Sequence, residues 1–74
     1  MSSYGRRIKT LRNEHDLTQE EFSEKFGLSL RSLQNWEQEH REPDPAAQLV
    51  IQMIEVDADT TAELVKRAKD RNMN

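Results

Sequence analysis

Arg31, Gln34 and Asn35 lie within one short span, and their side chains are the types that pair with the edges of nucleic-acid bases. A guanidinium fork matches O6 and N7 of guanine, and a carboxamide matches N6 and N7 of adenine. At helical spacing Leu30, Arg31, Gln34 and Asn35 are left outside while Leu33 and Trp36 turn inward. No other chemistry can be assembled from the chain. There is no cysteine, hence no disulfide and no zinc-finger spacing, and His15 and His40 stand apart without ligand partners nearby. No nucleophile has a base beside it and no glycine-rich phosphate loop is present, so no catalytic residue, metal or cofactor is expected and the chain does not read as an enzyme.

The helix that carries Arg31 has a clear start, because Ser29 is an N-cap residue. Before it, Thr18-Gln19-Glu20-Glu21 is a capping box, in which a threonine hydroxyl and a glutamate three residues on satisfy each other's backbone N–H groups. Phe22 and Phe26 then lie one turn apart on one face, with Glu20, Glu21, Glu24 and Lys25 on the wet side. Gly27 can take the left-handed conformation that ends a helix, and Leu28 folds back onto the core. Residues 18–37 thus read as two short helices joined by a glycine turn. That is a helix-turn-helix, whose second helix can enter a DNA major groove, although an ordinary helical hairpin shares the pattern.

The remaining elements support this pair. Tyr4, Ile8 and Leu11 recur at helical spacing and predict a first helix from Tyr4, with Arg6, Arg7 and Lys9 on its outer face, either solvated or touching phosphate. Residues 38–44 hold no apolar side chain and include Pro43, so they form a loop in which His40 and Arg41 are phosphate contacts or simply solvated. Asp44 followed by Pro45 opens a fourth helix reaching about Glu55, with Leu49, Val50, Met53 and Ile54 as its apolar face. Asp57-Ala58-Asp59 interrupts the pattern. Thr60 to Glu63 makes a second capping box for a fifth helix over about 60–71, carrying Leu64, Val65 and Ala68 on one side. Met1 to Ser3 and the last few residues are expected to fray.

Seventy-four residues suit one domain, 1–74, of all-α class, a compact five-helix bundle. Hydrophobic content of 34% leaves little core to spare, so the stripe of Leu64, Val65 and Ala68 is expected to make a dimer contact, with packing on the fourth helix as the alternative. The net charge of −3 lacks the basic footprint usual for nucleic-acid binding. The deficit is uneven: residues 1–41 carry seven Lys/Arg against seven acids, and residues 42–74 carry four against seven. No apolar run reaches membrane-spanning length and the N-terminus lacks the apolar stretch of a signal peptide, so a cytoplasmic location is expected.

Leu17-Thr18-Gln19, the small Ser23, Phe26-Gly27-Leu28-Ser29, and Trp36-Glu37 followed by Arg41 and Pro43 together resemble the helix-turn-helix of the Xre-type, lambda-repressor-like family. The resemblance covers roughly residues 5–56. It implies a sequence-specific regulator of transcription, a dimeric repressor or autorepressor on a palindromic site in double-stranded DNA. It also implies that Ser29, Leu30, Arg31, Gln34 and Asn35 face DNA, that Gln19 contacts a phosphate, and that Arg12 and Glu37 form a partly buried ion pair. Ser23 would let the two helices cross closely, and Trp36 would cover the joint between the third and fourth helices. Leu30 departs from the polar residues often found at its position, so it either packs on a thymine methyl or faces a region read less strictly. The second function implied is that of an antitoxin-like module whose main role is to bind and neutralise a partner protein.

Overall fold

The computed structural model describes residues 4–72, so the expected fraying at Met1 to Ser3 and at the last two residues lies outside the described part. Among the described residues there are five helices and no strand: α1 (Tyr4–Glu14), α2 (Gln19–Phe26), α3 (Leu30–Glu37), α4 (Pro45–Val56) and α5 (Ala58–Asn72). None is long and apolar enough to cross a membrane.

The local signals act as the residue types require. The Thr18 hydroxyl accepts from the Glu21 N–H at 3.0 Å while the Thr18 N–H donates to Glu21 Oε1 at 2.9 Å, closing the capping box of α2. Gly27 ends that helix at φ 69° and ψ 30°, and the N–H groups of Gly27 and Leu28 both donate to the Ser23 carbonyl. Ser29 Oγ caps α3 by accepting from the Ser32 N–H at 3.2 Å. Asp44 caps α4 through the Ala47 N–H at 2.8 Å, with Pro45 at the first helical position, where its missing N–H costs nothing.

The core gathers Ile8 and Leu11 from α1, Phe22 and Phe26 from α2, Leu33 and Trp36 from α3, and Ala47, Ile51 and Ile54 from α4. Helix α3 packs on α1 and α2; α4 packs on α1 and α5; α5 returns to touch α2. Phe22 and Phe26 meet at 4.8 Å between ring centroids in a tilted arrangement. Ser23 is buried, its hydroxyl donating to the Glu20 carbonyl at 3.0 Å, so this small polar residue makes its hydrogen bond inside its own helix.

Two expectations are corrected. On α4, Ile51 is fully buried, whereas Leu49 and Met53 are turned outward at 57% and 36% exposure. Apolar residues at 49, 50, 51, 53, 54 and 56 leave the inward stripe undecided by period alone, and contact with α1 and α5 selects it. Helix α5 begins at Ala58, two residues before the expected range of about 60–71, because Asp57 takes the N-cap: its carboxylate accepts from the Thr60 N–H at 3.0 Å and the Thr60 hydroxyl at 2.8 Å. The same two bonds hold the Asp57 carboxyl below its ordinary value, the backbone bond first.

Gly5, buried in α1, is required by a close approach. A Cβ built there would lie 2.5 Å from the Trp36 carbonyl oxygen, a backbone atom that cannot swing away. The close approach is between α1 and the backbone of α3 at Trp36. Gly5→Ala gains roughly 1 kcal/mol of helix propensity, but relieving such a clash costs about 1 to 3 kcal/mol. Net destabilisation of up to about 2 kcal/mol is expected, read as a lower urea midpoint; an unchanged or higher midpoint would show that α1 and α3 can separate freely.

Candidate nucleic-acid interface

The inner face of α3 is held by a buried carboxylate. Glu37, 3% exposed, accepts from Arg12 Nε at 2.7 Å on one oxygen and from Arg12 Nη2 at 2.8 Å on the other. Arg12 also donates through Nη1 to the Leu17 carbonyl at 3.1 Å, and Gln19 Nε2 reaches Glu37 Oε1 at 3.2 Å. One carboxylate thus ties together α1, the turn before α2, the first residue of α2 and the end of α3. The hydrogen bond to Glu37 raises the Arg12 pKa above its ordinary value. With Leu33 and Trp36 buried and Glu37 clamped, α3 cannot roll, and its opposite face is presented at a set angle.

That opposite face carries the residues singled out for base contact. Ser29 and Arg31 are exposed, and Leu30, Gln34 and Asn35 are partly so. Among the described residues no ion pair or hydrogen bond engages the Arg31 side chain, so its fork is available. The Ser29 hydroxyl oxygen is used in the cap, but its proton remains free to be donated. The chain beyond α3 folds back onto the helix end: Gln38 N–H donates to the Gln34 carbonyl at 3.0 Å, Glu39 N–H to Trp36 at 3.1 Å and His40 N–H to Asn35 at 2.9 Å. These bonds hold His40 and Arg41, both exposed, beside the C-terminal end of α3. Glu39 takes a left-handed φ of 60° to make that turn.

Gln19 stands at the first position of α2, where backbone N–H groups favour an anion. Its side chain, however, leans on Glu37, leaving its second amide hydrogen and its backbone N–H for any outside partner. The structure therefore ties Gln19 to Glu37 at the end of α3, and the backbone bond from His40 to Asn35 sets the His40–Arg41 turn beside that same helix end.

Arg7 and Lys69 are committed elsewhere. Arg7 is paired with Glu55 of α4, Nε to Oε2 at 2.9 Å with Nη2 on Oε1, and its guanidinium lies 4.2 Å over the Tyr4 ring. The pairing raises the Arg7 pKa and lowers that of Glu55, the side-chain hydrogen bond being the first cause in both. Lys69 of α5 donates to the Glu24 carbonyl at 2.8 Å, closing one of the open carbonyls at the end of α2.

Leu64, Val65 and Ala68 do not form one free stripe. Val65 lies on the α2 side of α5, its Cγ1 3.0 Å from where a Gly27 Cβ would be, and Ala68 is exposed. Leu64, half exposed, lies on the other side, in a shallow groove of about 350 Å³ with Leu49, Met53 and Val56. Sequence reasoning had assigned Leu49 and Met53 to the core and passed over Val56. The surplus of apolar positions on α4 was the signal that one face would remain uncovered.

A family model described as helix-turn-helix matches residues 8–47, which is more than half of the chain. The match begins at Ile8 in α1, spans α2, the Gly27 turn and α3, and ends at Ala47 in the first turn of α4. Comparison with curated proteins and with solved structures gave no match. With its capped α2, glycine turn and clamped α3 inside the matched residues, the chain belongs to the Xre-type, lambda-repressor-like helix-turn-helix family of DNA-binding regulators.

Proposed function

We propose that the chain is a cytoplasmic, sequence-specific repressor that binds double-stranded DNA as a homodimer, each protomer laying α3 in the major groove of one half of an inverted-repeat operator. The outer face of α3 carries this reading. An unpaired Arg31 fork with Gln34 and Asn35 beside it is a set of donors aimed outward from a helix that Glu37 holds in place. Backbone-positioning contacts come from Gln19, Ser29, His40 and Arg41, which carry no base information themselves. Selection of bound sites from random duplexes at stated salt tests the reading. The expected product is an inverted repeat with half-site centres about 34 to 36 Å apart, or a multiple of this; a pool that never converges would remove the DNA role.

The groove of Leu49, Met53, Val56 and Leu64 is the proposed dimer surface. An isologous contact sets a patch against its own copy, so a like charge at its centre would repel itself. Here the single charged lining residue is Asp57, whose carboxylate is occupied by Thr60. Leu64→Asp is expected to leave the circular dichroism spectrum unchanged, to give a monomer in sedimentation and to abolish binding to the full repeat. A dimer that persists in this variant would place the contact elsewhere. The same groove supports a second reading, capture of a partner protein such as a toxin; a monomeric chain that selects no DNA site would favour it.

A further inference from the structure

Leu30 is the first residue of α3, between the capping Ser29 and the free Arg31. It is partly exposed and lies outside the set of partly buried apolar side chains that pack on the core, namely Tyr4, Leu17, Leu28, Val50, Ala58 and Ala62. The apolar positions that brace a helix start are already filled, by Leu28 just before the cap and by the fully buried Leu33 at the fourth helical position. Leu30 thus completes neither the core nor the cap. Helical side chains lean toward the N-terminus, so Leu30 projects from the same end of α3 as the Arg31 fork.

A leucine cannot answer a donor or acceptor on a base edge. The major groove offers one apolar feature, the methyl group on C5 of a pyrimidine. We infer that Leu30 is a specificity-determining residue that reads a pyrimidine C5-methyl group, in the base pair next to the one contacted by Arg31. The inference rests on the DNA reading above and narrows it: one position of each half-site is discriminated by apolar contact, the neighbouring ones by hydrogen bonds. Covering one methyl group changes affinity about three- to fivefold, a small step that sets preference at one base pair and leaves the bulk of binding to other contacts.

The experiment uses the full chain and the site selected from random duplexes. Each thymine is replaced in turn by deoxyuridine, and in a parallel arm cytosine is compared with 5-methylcytosine at the same positions. Both arms are repeated with Leu30→Ala and, as a size-preserving second variant, with Leu30→Gln, after circular dichroism has confirmed folding. The expected result is a three- to fivefold methyl-dependent gain at one equivalent position per half-site, absent in both variants. The arm that shows the gain tells whether thymine or 5-methylcytosine supplies the methyl. No Leu30-dependent gain in either arm, on a site still bound specifically, would overturn the inference alone. Failure to select any site would overturn the DNA reading and the inference with it.

Discussion

Glu37→Gln is expected to lower the unfolding free energy by about 3 to 5 kcal/mol, because it removes the charge that a largely buried guanidinium depends on. A carboxamide offers one oxygen where the carboxylate offers two, so Arg12 loses one of its paired bonds, and an amide N–H is turned toward the Arg12 donors or toward Gln19. Arg12 keeps the Leu17 carbonyl, and its side chain is 17% exposed, so some hydration softens the loss toward the lower end of that range. At roughly 0.05 to 0.15 kcal/mol per residue, a domain of this size has about 4 to 11 kcal/mol in total, and the variant sits close to unfolding at ordinary temperature. Glu63→Gln is the control. Its partner Arg67 is mostly exposed, and such a pair contributes less than about 1 kcal/mol. Equal urea midpoints for the two variants would show that the Glu37 network is dispensable.

Arg31→Ala is expected to weaken binding to the selected site by about 1 to 3 kcal/mol, roughly five- to 150-fold, and to relax preference at one base pair only. Binding to unrelated duplexes should fall far less, since the phosphate contacts remain. Arg31→Lys separates charge from geometry: an ammonium retains attraction to the backbone but lacks the planar fork, so it should preserve nonspecific affinity while losing guanine preference. Titration of wild type and both variants against the selected site and a set of single-base variants measures this. A uniform loss across all sequences would make Arg31 a phosphate clamp.

Much of this arrangement was readable along the chain because the signals involved are local. Thr18 with Glu21, Gly27, Ser29, and Asp44 with Pro45 each act on backbone groups within a few residues, so their spacing alone locates the ends of α2, α3 and α4. The fifth helix starts ahead of Thr60 because Asp57, which along the chain reads only as part of an interruption, is the residue that caps it. Asp57 prevails because α4 stops on it, leaving its extended backbone and free carboxylate ready for the next helix, and Thr60 becomes its ligand. Tertiary choices were not local. Nothing near Gly5 in sequence shows the Trp36 carbonyl above it, and nothing near Leu49 tells it from Ile51 until α1 and α5 occupy one side of α4. Gln19 shows the same limit, since its lean toward Glu37 depends on a residue eighteen positions away.

Asp57 is the whole of the connection between α4 and α5. Its N–H closes the last turn of α4 on the Met53 carbonyl at 2.9 Å, its carboxylate caps α5, and its own carbonyl receives the Thr61 N–H at 3.1 Å and the Thr61 hydroxyl at 2.8 Å. Such a joint has no slack. An inserted residue would turn everything after it by about 100° about the α5 axis, taking Leu64 away from Leu49, Met53 and Val56 without altering a single side chain on either helix. The rotational phase of α5 is therefore carried by chain length, and this one-residue spacing is as much a determinant of the apolar groove as the residues that line it.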